Sequence, residues 1–239
     1  MIRGQEHRAK TTRGTLCASV VGAVLVAVPS QAWARPSPSF PASALILAPS
    51  VTVRGGASMA SRRIAVLPQF RTDYRPTVLQ VLGRTTGASG ARWLQIAVPG
   101  GPNGRKGWII ARSLHVRRAT RSIVVDLSAR QLRVIERGRT RFTTRVAVGR
   151  RGAETPIGLF YVTAVFQPTE RYLGAWAFET SAFSNLSEWP GGGIVGLHGT
   201  NRPELLGQAV SHGCIRMSNA AARTLKRLAP AGTPLRVVR

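Results

Sequence analysis

Two short stretches could bring a nucleophile together with groups able to activate it: "LHGTN" at residues 197–201 and "SHGCIRM" at residues 211–217. Cys214 is the only cysteine after Cys17, and His198 lies 14 residues before His212, so that both histidines can face one cleft with the thiol. A thiolate is the reactive form of cysteine, and an imidazole that takes its proton makes that form available at neutral pH. Gly213 leaves room beside the sulfur for a substrate carbonyl and for backbone amides aimed at a developing oxyanion. A helix starting near Ser218 would add its positive end. The residue types alone leave three readings open: a catalytic thiol, an inert buried cysteine, or three ligands of a zinc ion. Zinc is disfavoured by the two-residue spacing of His212 and Cys214 and by the lack of CxxC or HExxH. A disulfide within a processed chain is excluded, since Cys17 lies in the segment expected to be removed.

The elements around these residues are mostly strands. Ser122–Asp126, Gln131–Glu136 and Thr140–Val148 read as three strands separated by "LSAR" and "RGR" turns, and "ETPIGLFYVTAVF" as a fourth. Ser218–Leu228 carries Ala221, Ala222, Leu225 and Leu228 at helical spacing, and "TPLRVV" closes the chain as a strand. Upstream, residues 49–118 break into short apolar stretches with turn signals, including a hairpin about Gly101 to Gly107 around Asn103-Gly104. The expected fold is therefore mainly β: a small N-terminal β-barrel, then a β-sandwich or barrel with one or two short helices. Trp93 and Trp108 are expected in the interior of the first part, and His115 has no assigned role. No fixed-period repeat is present.

At the N-terminus Arg3, Arg8, Lys10 and Arg13 precede the apolar run Leu16 to Val28, Pro29 breaks it, and Ala32-Trp33-Ala34 offers small residues at alternate positions. This is the pattern of a signal peptide over residues 1–34, cleaved after Ala34. Residues 35–48, rich in Pro, Ser and Ala, read as a flexible stalk. Taking four basic residues from 34 and Glu6 from 9 acidic ones leaves 30 against 8, a processed chain of about +22, nearly all arginine. These arginines are scattered, with few aromatics between them, which excludes a recognisable nucleic-acid module and points to anionic cell-wall polymers as partners outside the membrane.

Residues 122–238 resemble the YkuD-type L,D-transpeptidase catalytic domain: "LHGTN", then "SHGCIRM", with "TPIGLFYV" in place of the family's Thr-Pro-x-Gly strand. "VLQVLGR" and "ARWLQIAVPGGPNGRKGWIIARSL", within Val78 to Leu114, resemble a bacterial Src-homology-3-like domain, with Trp93 and Gly107-Trp108 opening two of its strands. The first resemblance implies an exported enzyme that acylates Cys214 with a peptidoglycan tetrapeptide stem, releases D-Ala, and transfers the acyl group to an acceptor amine in a 3→3 cross-link. It implies His198 as general base, His212 with the backbone amides of Gly213 and Cys214 shaping the oxyanion region, Ser211 and Gly199 orienting the histidines, and Arg216 holding a substrate carboxylate. It implies stem peptides as partners and no metal or organic cofactor. The residues of Glu170 to Gly193 that cover the donor are not identifiable from this stretch.

Three alternatives set the limits of that expectation. An L,D-carboxypeptidase would share the thioester and resolve it with water. A papain-like wall peptidase would place cysteine before histidine in the chain, and a sortase would spread its histidine and cysteine over far more sequence. A non-catalytic wall-binding protein would leave Cys214 and His198 without a role.

Overall fold

In β8 (Arg121–Asp126) and β9 (Gln131–Glu136), Ile123, Val125, Leu132 and Val134 are fully buried while Val124 and Arg133 are not, the two-residue period of a strand with one face to a core. They pair antiparallel with Ile123 opposite Val134 and Val125 opposite Leu132. Arg137 and Gly138, at φ 50° and 78°, close β9 onto β10 (Arg139–Arg145) through a two-residue turn that needs positive φ at both positions. The computed structural model that shows these elements describes Met1 and residues 41–187, 189–190 and 192–239; the expected signal peptide and the stalk up to residue 40 lie outside the described residues.

The first sheet comprises β1 (Ala42–Ile46), β2 (Ser50–Arg54), β3 (Arg63–Pro68), β4 (Val78–Thr86), β5 (Arg92–Ala97), β6 (Lys106–Ile110) and β7 (Leu114–Arg118), in the order β3-β2-β6-β5-β4-β1-β7. Strand β1 corrects the expectation of a stalk to residue 48. Ala42, Ala44 and Ile46 are buried, and β1 pairs with both β4 and β7. Its Ala and Ser suit a linker as well as a strand, and they outweighed Leu45 and Ile46, so composition alone misassigned the segment. Trp93 is buried as expected, whereas Trp108 is only half-buried.

The second sheet takes β8, β9 and β10 with β12 (Gly158–Phe166), β13 (Ala177–Thr180), β14 (Leu197–His198), β16 (Ile215–Arg216) and β17 (Pro234–Val238), ordered β10-β9-β8-β17-β12-β13-β14-β16. The C-terminal strand β17 thus lies mid-sheet, parallel to β8 and antiparallel to β12. Strand Thr140–Val148 is not continuous. It ends at Arg145, the Val146 amide bonds the Arg130 carbonyl, and β11 (Val148–Gly149) leaves the sheet to pair with β15 (Ala209–Ser211). That turn carries the chain under the SHGC segment.

Helix α1 (Asn219–Leu228) is capped by Ser218, whose Oγ accepts the Ala221 amide at 3.1 Å. It lays Ala221, Ala222 and Leu225 on the core formed by Ile123, Val134, Val162, Leu197 and Met217. Leu225 is fully buried, so its truncation to alanine would cost about 2–5 kcal/mol. The first sheet has its own core around Val53, Leu79, Val81 and Ile96. Residues 41–239 nevertheless fall within one compact unit, joined by an ion pair between Arg71 and Glu179 and by Arg75 over the Phe166 ring at 4.6 Å.

Candidate active site

His198 is placed by strand pairing on both sides: opposite Ala177 of β13 and beside Arg216 of β16. Cys214 immediately precedes β16, where the Ile215 amide bonds the Gly196 carbonyl at 2.9 Å and the Met217 amide bonds the His198 carbonyl at 2.8 Å. Nucleophile and histidine are therefore delivered by neighbouring strands, because parallel pairing of β14 with β16 sets His198 beside Arg216, two residues after Cys214.

The turn into the cysteine is fixed by side chains bonding to backbone. Gly213 has φ 111°, a conformation that L-residues rarely adopt. Ser211 Oγ donates to the Cys214 carbonyl at 2.6 Å and accepts the Gly213 amide at 3.2 Å. Thr155 Oγ1 accepts the Gly149 amide at 3.0 Å and donates to the Gly213 carbonyl at 2.8 Å. Two expectations change. Ser211 braces the loop of the cysteine through these bonds, where it was expected to orient a histidine, and the Gly213 N–H, expected at an oxyanion, is committed to Ser211. Both follow from the tight turn, which folds residue 211 back onto its own backbone.

Around the sulfur, the Gly196 N–H points to Sγ at 3.4 Å, and Ser187 Oγ lies 3.7 Å away. An amide donor favours the thiolate. Ser187 gives its own hydroxyl proton to the Ile194 carbonyl and accepts the Trp189 amide at 3.2 Å, so toward Cys214 its oxygen serves as an acceptor. Cys214 is 7% exposed and packs with Leu173, Ala177 and Trp189. Gly196 has to be glycine, because a Cβ there would lie 1.8 Å from the Trp189 ring.

His198 Nδ1 lies 2.5 Å from the Gly199 carbonyl. A carbonyl only accepts, so the ring proton sits on Nδ1 and the Nε2 lone pair is left for another proton. Burial pushes the pKa of His198 down to about 4; the Gly199 carbonyl opposes that shift and the Arg216 charge adds to it. The ring is thus neutral at physiological pH and able to act as a base. Gly199 is constrained for a further reason: a Cβ would meet Asn219 Oδ1 at 2.3 Å, and that oxygen accepts the Ala175 amide at 2.8 Å.

His198, His212, Cys214 and Arg216 line one narrow pocket with Tyr172, Leu173 and Trp189; its volume is about 20 Å³, enough for a single water molecule. Among the described residues no three His, Cys, Asp or Glu side chains are grouped to hold a metal ion. Of the site residues expected from the sequence, His198, His212, Cys214 and Arg216 line the pocket, Ser211 and Gly213 form the turn beside it, and Gly199 meets His198 through its carbonyl. Sequence reasoning missed Thr155, Ser187, Gly196 and Trp189. Thr155 stood in the "TPIG" motif and was signalled, whereas Ser187 and Trp189 lie in an irregular stretch with no periodic signal.

A family model described as the L,D-transpeptidase catalytic domain, YkuD, matches residues 120–237. A putative L,D-transpeptidase YkuD of Bacillus licheniformis is 36% identical, covering 46% of this chain and 61% of the relative. Its Bacillus subtilis counterpart is 32% identical, covering 49% and 65%. The chain thus spans less than two thirds of the length of these two relatives. The putative L,D-transpeptidase YqjB of Bacillus subtilis is 33% identical, covering 46% of this chain and 67% of the relative. Among solved structures, the catalytic domain of Enterococcus faecium L,D-transpeptidase aligns at 23% identity with a TM-score of 0.41, covering 49% of this chain and 96% of that one.

Proposed function

Because residues 120–237 make this chain a member of the YkuD family of L,D-transpeptidases, we propose that it is an exported cysteine acyl transferase that forms 3→3 cross-links in peptidoglycan. The observation that carries the reading is the neutral His198, its Nδ1 proton tied to Gly199 and its other nitrogen left basic, in the same pocket as the Cys214 thiol.

In this mechanism His198 Nε2 takes the Cys214 proton, and the thiolate attacks the carbonyl of the third residue of a tetrapeptide stem. The resulting oxyanion collapses, the C–N bond to D-Ala breaks, and the imidazolium returns the proton to the departing amine. A thioester remains on Cys214. The side-chain amine of an acceptor stem then attacks it, loses a proton to His198, and releases the thiol. Arg216, a cation at the pocket wall, is the residue for a stem carboxylate. Purified enzyme given disaccharide tetrapeptide is expected to yield a tetrapeptide–tripeptide dimer and free D-Ala. Tripeptide monomer as sole product would overturn transpeptidation in favour of a carboxypeptidase.

Export and wall partners belong to the same proposal. They are supported by the leader-like residues 1–34 and by the charge of about +22 that 30 basic against 8 acidic residues leave on the processed chain, which draws the protein to anionic polymers and is screened by salt. Binding to sedimented wall should fall steeply between low and high salt; unchanged binding would remove the electrostatic account. For residues 49–118 the proposal is a bacterial Src-homology-3-like module. It is supported by Gly107, where a Cβ would lie 2.3 Å from Val53 of the neighbouring β2, so that the Gly-Trp pair answers a packing need.

A further inference from the structure

The stretch that covers the thiol is gripped from outside the family-matched segment. Phe183 and Ile194 form an antiparallel bridge, and the Ser184 amide bonds the Gly193 carbonyl at 2.9 Å, making a neck beyond which Ser184 to Ser187 and Trp189 lie. Ser187 bonds back to this neck through the Ile194 carbonyl and stands 3.7 Å from Cys214 Sγ. Trp189 bonds to Ser187 and forms part of the pocket wall.

Asn103, in the turn between β5 and β6, takes hold of the other side of the neck. Its Nδ2 donates to the Phe183 carbonyl at 2.9 Å and its Oδ1 accepts the Phe183 amide at 2.8 Å. One side-chain amide thus replaces the partner strand that Phe183 lacks on that edge. The Phe183 ring is slotted between two glycines: a Cβ on Gly101 would come within 2.8 Å of it, and one on Gly193 within 2.6 Å. Only an amide offers a donor and an acceptor in this spacing; aspartate offers acceptors alone.

We propose that Asn103 is a positioning residue of the active site, setting Ser187 and Trp189 against Cys214 through the Phe183–Ile194 neck. The hairpin of the first sheet is then part of the catalytic apparatus, since it determines how closely the thiol is covered and how the donor is received.

The test uses the full chain with Asn103→Ala and Asn103→Asp, reading two quantities. The rate of Cys214 alkylation by iodoacetamide across pH is independent of the transpeptidase reading; turnover of disaccharide tetrapeptide rests on it. Asn103→Ala should raise the alkylation rate several-fold and shift its pH midpoint, as Ser187 and Trp189 loosen around Cys214, now 7% exposed. It should lower kcat/KM about tenfold, the effect of losing two hydrogen bonds, with Asn103→Asp between it and the parent. Should Asn103→Ala fail to fold, Gly101→Ala pushes on the Phe183 ring and tests the same link in the same direction. Alkylation that is unchanged within twofold in a folded Asn103→Ala chain, or in Gly101→Ala, would overturn the proposal. Altered alkylation without any turnover in the parent would instead uphold the clamp and count against the transpeptidase reading.

Discussion

The two sheets bury different chemistry. Among the described residues, the first sheet encloses a core of Ala, Val, Leu and Ile, and its buried Gln80 and Trp93 hold polar atoms, Oε1 and Nε1, that have no hydrogen-bond partner. The second buries Thr155, Thr180, Ser181, His198, Thr200 and Ser211, each hydrogen-bonded to a backbone group. A buried polar group costs stability unless it is bonded, and the Tyr161 hydroxyl of the second sheet is one that is not. The second sheet therefore accepts a burden that an apolar core would avoid, and the burden lies where backbone must be held in irregular conformations around Cys214.

The largest expected effects follow from removing the reacting groups. Cys214→Ala should abolish turnover, and His198→Ala should lower kcat/KM by about 10²–10⁴, measured with tetrapeptide below its KM. Next come the braces. Ser211→Ala and Thr155→Val each strand the Gly213 turn and should cost about 1–3 kcal/mol in urea unfolding, together with a loss of activity larger than the loss of folded protein explains.

Acid sensitivity follows from His198. Its folded-state pKa, about 4, lies below the ordinary histidine value near 6.5, so the unfolded chain binds the extra proton first. The stability contributed by its neutral burial is complete above about pH 6.5 and is lost as pH falls toward 4. Melting temperature should decline over that window in the parent and decline less in His198→Asn. The smallest effect belongs to the first sheet: Gln80→Leu should leave stability unchanged or raise it by up to about 1 kcal/mol. A clear loss there would break the contrast between the two sheets.

The parts of the site that could be read from sequence are those whose chemistry is local. Cys214, His212 and Gly213 adjoin, β8 and β9 are short apolar runs bounded by turn signals although their alternation is imperfect, and Ser218 announces α1 as its cap. What escaped depends on partners far along the chain. Thr155 acts on Gly213 across 58 residues, and Asn103 on Phe183 across 80, distances over which no periodicity carries information. Ala42–Ile46 escaped because its Leu45 and Ile46 sit among the Ala, Ser and Pro that give the stretch the composition of a linker. The break after Arg145 escaped because Val146 and Val148 continue the apolar pattern while bonding to Arg130 and Gln208 outside the sheet.

Intact-protein mass spectrometry tests the central claim most directly. The full chain and its Cys214→Ala and His198→Ala variants would be incubated with disaccharide tetrapeptide and quenched in acid. The account predicts an adduct of one acyl tripeptide, the donor less D-Ala, on the parent, absent from Cys214→Ala and slow to form on His198→Ala. A folded parent without any adduct, or an adduct that persists in Cys214→Ala, would contradict it.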